Sequence, residues 1–100
     1  SLKTKGALAI LEAASFLRDN SEKMDIEVLS QHLKSLEKAC TATGRPFPED
    51  LAELKDSTYP KAMAYYDKKH AAEKDPSKKD YYKENLDFFA AAAKAPPGQE

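Results

Sequence analysis

Two histidines and one cysteine, His32, His70 and Cys40, are the side chains of this 100-residue chain best suited to nucleophilic or acid–base chemistry. His32 and Cys40 stand eight positions apart in a segment that reads as helix, about 12 Å at the helical rise. That distance is too long for an imidazole to take a proton from a thiol. His70 would reach Cys40 only through tertiary packing, which spacing does not specify. The same three residues lack the spacing of a zinc site. No glycine loop is present to cradle a phosphate, and no calcium-loop pattern occurs. Carboxylates are plentiful but are spread over solvent-facing positions, with no pair standing out. The expectation is a non-enzymatic protein with no metal and no cofactor.

Cys40 also ends a run of apolar positions, Ile26, Leu29, Leu33 and Leu36, spaced 3, 4, 3 and 4. A thiol in such a seam is expected to be buried and structural. The segment "QHLKSLEKAC" bears some similarity to the reactive helix of histidine phosphotransfer domains, whose pattern resembles H-x-L-K-G-S. Here Lys34 follows His32 by two positions rather than three, the glycine that admits a partner is missing, and His32 flanks the seam. Phosphotransfer is therefore a remote alternative.

The densest cluster of potential binding groups is "YYDKKHAAEKDPSKKDYYKENLDFF", residues 65–89, with three aromatic doublets and six lysines. Adjacent helical residues point about 100° apart, so one member of each doublet should enter the core and its neighbour should lie at the edge. Phe88 and Phe89 are expected to pack, whereas Tyr65 and Tyr81 are expected to be half-exposed. Asp67, Glu73, Asp75, Asp80, Glu84 and Asp87 interleave with the lysines, so the stretch is near neutral. Its sharpest feature is the pair of lysine doublets around "DP". Tyr65, Lys68, Lys69, Lys78, Lys79 and Tyr81 form the candidate contact surface, lysines attracting acidic groups and tyrosines adding contact area. A solvated edge with lysines facing a helix C-terminus explains the same pattern.

These residues need helices to position them. Glycines number three, and Ala, Leu, Lys and Glu dominate, a composition that favours helix. Residues 2–18 read as a first helix with Ala7, Ile10, Leu11, Ala14 and Leu17 along its stripe and Gly6 weakening its first turn. "RDNSEKMD" interrupts it. Asp25 is placed to N-cap a second helix that runs to about Cys40. Gly44 stops that helix, "GRPFPED" is a loop, and Pro48 opens a short third helix with Leu51 and Leu54 inward. "STYPKAMAYYDKKHAAEKD" repeats the same start logic, its inner face being Tyr59, Ala62, Met63, Tyr66 and His70. Asp75 and Pro76 begin the last helix, with Tyr82, Leu86, Phe89 and Ala93 as its stripe. The fold class expected is all-α, a single compact bundle of four or five helices over residues 1–94, with 95–100 as a Pro/Gly-containing tail or linker. Ala7, Ala9, Ala13 and Ala14 offer small residues for close helix packing.

Charge and length narrow the partners. Sixteen basic side chains stand against seventeen acidic ones, a net charge of −1, without the basic excess of a nucleic-acid binder. One cysteine excludes an intrachain disulfide. No apolar run approaches the roughly 18 residues of a membrane span, and no helix carries the basic face of a membrane-surface helix. The chain begins at Ser1, as a mature or excised segment would, which leaves room for a signal or anchor outside it.

The segments "VLSQHLKSLEKAC", "YPKAMAYYDKKH", "YYKENLDFF" and "APPGQE", covering about half the chain, resemble the variable merozoite surface antigens of Babesia parasites. The resemblance implies a helical domain of a secreted, lipid-anchored protein that attaches to host red cells, and hence a cell-surface location. Its partner would be a protein or an acidic cell-surface glycoconjugate. No family motif matches position by position, so the resemblance assigns no residue a role. The alternative is a cytoplasmic adaptor or regulatory bundle that binds a partner helix through an apolar groove.

Overall fold

The computed structural model describes residues 2–94, except for the side chains of residues 2–4 and 94. The chain is all-α. Among the described residues there are four α-helices, α1 (Leu2–Asn20), α2 (Ile26–Thr43), α3 (Ala52–Ala72) and α4 (Pro76–Lys94), with 3-10 turns at Ser21–Lys23 and Glu49–Leu51. The expected tail at 95–100 lies outside the described residues. The chain divides into two compact units, Ser1–Lys55 and Asp56–Glu100.

The first unit is built on an antiparallel helix hairpin. α1 packs on α2, with Gly6 against Thr43 and Phe16 against His32, so the start of one helix meets the end of the other. The connection is short because α1 runs two residues beyond expectation and a single 3-10 turn follows. Asp25 then caps α2, its carboxylate accepting from the Val28 amide at 2.9 Å. Leu29, Leu33, Leu36 and Cys40 are buried along the seam, and Ser30 beside them is buried with its hydroxyl donating to the Glu27 carbonyl. Gly44 closes the helix in the left-handed region at φ 66°, its N–H directed at the carbonyls of Cys40 and Thr41. A residue with a Cβ is strained there, which is why glycine holds the stop.

On α1 the buried stripe is Ile10, Ala14 and Leu17. Leu11, expected on that stripe, is 62% exposed, because it lies about 100° around the helix from Ile10. The 3-10 turn after the loop is tied to α1 by a two-pronged ion pair. Arg18 donates through Nε and Nη2 to the two carboxylate oxygens of Asp50, the second contact at 2.9 Å. Arg18 holds the Asp50 carboxyl below the usual range. Lys55 is 5% exposed, yet its ammonium is satisfied: Nζ lies 2.9 Å from Glu37 and 5.0 Å from the centre of the Phe47 ring.

The second unit is another antiparallel hairpin, α3 against α4. Its core is aromatic. Phe89 meets Tyr59 edge-on at 4.9 Å and stacks parallel on Tyr66 at 5.7 Å. Such ring pairs stabilise by about 0.5–1.5 kcal/mol beyond the area they bury. The doublets divide as their geometry requires: Tyr66 and Phe89 are fully buried, while Tyr65 and Phe88 are half-buried. Asn85 was not expected in this core, but it is 1% exposed, and its amide donates to the Tyr81 carbonyl at 2.8 Å. Ala93, expected on the α4 stripe, is exposed.

One boundary differs from expectation. Pro48 does not open a separate short helix, and Pro60 is not the first residue of a new one. The 3-10 turn passes directly into α3, and Pro60 lies inside it. Thr58, Tyr59 and Ala62 are buried on either side of the proline, while Pro60 and Asp56 are exposed. The carbonyl that loses its i+4 donor is that of Asp56, four residues back, and Asp56 is an exposed residue, where the loss of one helical bond costs least.

Candidate interaction surface

The candidate surface is built around the connection from α3 to α4. After α3 the chain needs partners for the last helical carbonyls and for the first amides of α4. Glu73 reaches back to its own turn, Oε1 accepting from the amides of Lys74 and Asp75 at 3.2 and 3.1 Å. Asp75 caps the next helix, accepting from the Ser77 amide at 3.3 Å. Pro76 stands first in α4, where its missing N–H costs nothing. Two of the acids that balance the lysines are therefore engaged with turn backbone. A third, Asp87, pairs with Lys83 one helical turn away at 2.8 Å.

The six expected contact residues separate into four environments. Lys69 lies over the ring of Tyr65 on the same helix, 5.6 Å from its centre, and the tyrosine is half-buried against Tyr66. Lys79 is half-buried, and its Nζ donates to the His70 carbonyl at 2.7 Å. Its ammonium thereby caps the end of α3 from the neighbouring helix, as a cation at a helix C-terminus should. Lys68 and Lys78 are exposed. Tyr81 is 38% exposed and touches Tyr66 edge-on at 6.3 Å. The helices bring Tyr65 to Lys69 and Lys79 to the end of α3; Lys68 lies a further 100° or so around α3 from Lys69.

Elsewhere the reactive side chains sit in quiet surroundings. Cys40 is 3% exposed. Burial pushes its thiol pKa up, Glu37 adds to this, and Lys55 opposes it. A thiol held protonated is a poor nucleophile. His32 is half-buried and tilted against Phe16 at 5.1 Å between ring centres. Among the described residues no group of three or more His, Cys, Asp or Glu side chains is arranged to hold a metal ion. No described helix is long and apolar enough to cross a membrane.

A second surface was not visible in the sequence. Leu8, Leu11 and Phe16 on α1 and Val28 on α2 are 53%, 62%, 47% and 44% exposed. Beside Phe16, the outer face of α2 carries an open groove of about 250 Å³ lined by Glu27, Val28, Gln31, His32 and Ser35. The signal was present in α1, whose apolar residues wrap more than one face, but only three-dimensional packing shows which of them remain uncovered. No family model matches the chain, and no curated protein or solved structure matches it.

Proposed function

We propose that this chain is a non-enzymatic helical interaction domain that contacts acidic surfaces through the lysine-bearing end of the α3–α4 hairpin. The observation that supports it is the division of labour at the turn. Glu73 and Asp75 are directed at backbone amides, while Lys68 and Lys78 extend into solvent and Tyr81 presents part of its ring. Acidic groups on a partner would meet cations first and aromatic area second. The resemblance to merozoite surface antigens makes host red-cell attachment the most concrete form of this reading, with an acidic glycoconjugate or protein as the partner.

The test is binding of the labelled chain to intact red cells at low and physiological salt. A Lys68→Gln, Lys69→Gln, Lys78→Gln variant should lose most of its low-salt binding, and the binding of the unaltered chain should weaken as salt screens the charges. Adding Lys79→Gln also removes the cap on α3, so the triple variant isolates contact from stability. Binding that ignores both salt and the triple substitution rejects this surface.

A second reading, docking of a partner helix, draws on the exposed apolar ridge of α1 and the adjacent groove on α2.

A further inference from the structure

The solvent-facing ridge of α1 has symmetric spacing and ends of opposite charge. Lys5, Leu8, Glu12, Phe16 and Asp19 follow at spacings of 3, 4, 4 and 3, and all five are exposed. Those spacings keep them on one stripe of the helix. Turned end for end about Glu12, the basic end meets the acidic end, and Leu8 meets Phe16.

We propose that this ridge pairs antiparallel with α1 of a second copy of the chain, about a two-fold axis at Glu12. The proposal rests on the helix-docking reading and names the docked helix. A two-fold interface must be complementary to itself, and this ridge satisfies that in apolar content and in charge at its two ends, with Glu12 at the centre as the exception. Lys5 and Asp19 are fourteen residues apart, about 21 Å along the helix. Two ion pairs, Lys5 with the partner's Asp19 and its symmetry mate, therefore bracket the contact. The adjacent Arg18 is engaged with Asp50, so it does not compete for the same role. Leu8 of one copy covers the partner's Phe16 at the mouth of the groove beside His32. Leu11, 62% exposed, lies about 100° around the helix from Glu12 and so stands beside the contact, not in it. Glu12 faces its own copy at the centre, a like-charge contact that keeps the pairing weak and reversible.

Sedimentation of the 100-residue chain over a range of concentrations tests this. A monomer–dimer equilibrium is expected. Lys5→Glu or Asp19→Lys should each weaken it about tenfold, because each change sets like charges opposite one another at both ends. The combined Lys5→Glu, Asp19→Lys variant should restore it, since the swap recreates both pairs. Glu12→Gln should tighten it. All three positions are exposed, and the charge-swapped variant doubles as a control for folding. A chain that stays monomeric at every concentration overturns the proposal, and so does a dimer indifferent to Lys5→Glu. Helix docking itself is judged separately, by titrating an unrelated labelled amphipathic helix against the chain and its Leu8→Gln variant. Binding lost in that variant, from a chain that remains monomeric, would reject self-pairing and keep helix docking.

Discussion

Gly6 stands where α1 passes the end of α2, and its role depends on a residue 37 positions away. A Cβ built at Gly6 would lie 2.8 Å from Cγ2 of Thr43, inside any ordinary contact distance. Thr43 is poorly placed to yield, because its hydroxyl donates to the Ala39 carbonyl at 2.8 Å and lies 3.3 Å from that of Cys40. Glycine to alanine inside a helix ordinarily stabilises by about 1 kcal/mol. Here Gly6→Ala should give no gain, or a loss, in urea-unfolding free energy. Thr43→Ser keeps the hydroxyl and removes the methyl, so the Gly6→Ala, Thr43→Ser pair should recover about 0.5–1 kcal/mol relative to Thr43→Ser alone. A full gain from Gly6→Ala by itself would show that the helices can move apart at no cost. The sequence marks Gly6 as a weak point in a helix, since propensity is local; the close approach that requires it is not. The caps at Asp25, Gly44 and Asp75 were legible for the same reason, because each is decided within four residues.

At the scale of elements, α3 is where local rules misled. Proline at the first position of a helix is a sound start signal, and "STYP" satisfies it. The flanking side chains decided otherwise: Tyr59 and Ala62 are both buried, and one unbroken helix buries both while leaving Pro60 outside. The Asp56 carbonyl is left without its usual donor as a result. Pro60→Ala supplies that donor on an exposed face and should raise stability by about 1–3 kcal/mol in urea unfolding, the added flexibility of the unfolded chain offsetting part of the gain. An unchanged midpoint would mean that the turn already satisfies Asp56 through shorter-range bonds. The heptad-like seam of α2 was legible because periodicity and burial agree there. On α4 they part at Asn85, a polar side chain that occupies a core position by bonding to its own helix.

For the whole molecule, helical composition and capping signals suffice for an all-α fold. The exposed ridge of α1 escaped that reading because periodicity shows which residues recur, not which of them another element covers. The lysine doublets were visible as a cluster, but the engagement of Lys79 with the end of α3 depends on how the hairpin closes. The division at Lys55 and Asp56 likewise left no composition change in the sequence, since it falls inside a helix.

That division has a practical side. The chain has no tryptophan, and its five tyrosines, at 59, 65, 66, 81 and 82, all follow Asp56, whereas its one cysteine precedes Lys55. Tyrosine emission therefore comes from the second hairpin, and thiol chemistry belongs to the first. Cys40 should react with a coloured disulfide reagent orders of magnitude more slowly in native buffer than in denaturant, given its burial and protonated state; fast native labelling would contradict its placement in the seam. Followed together through a urea titration, the two signals clock the opening of each hairpin with no added label, and the interval between their midpoints reads out how independently the two halves of the chain come apart.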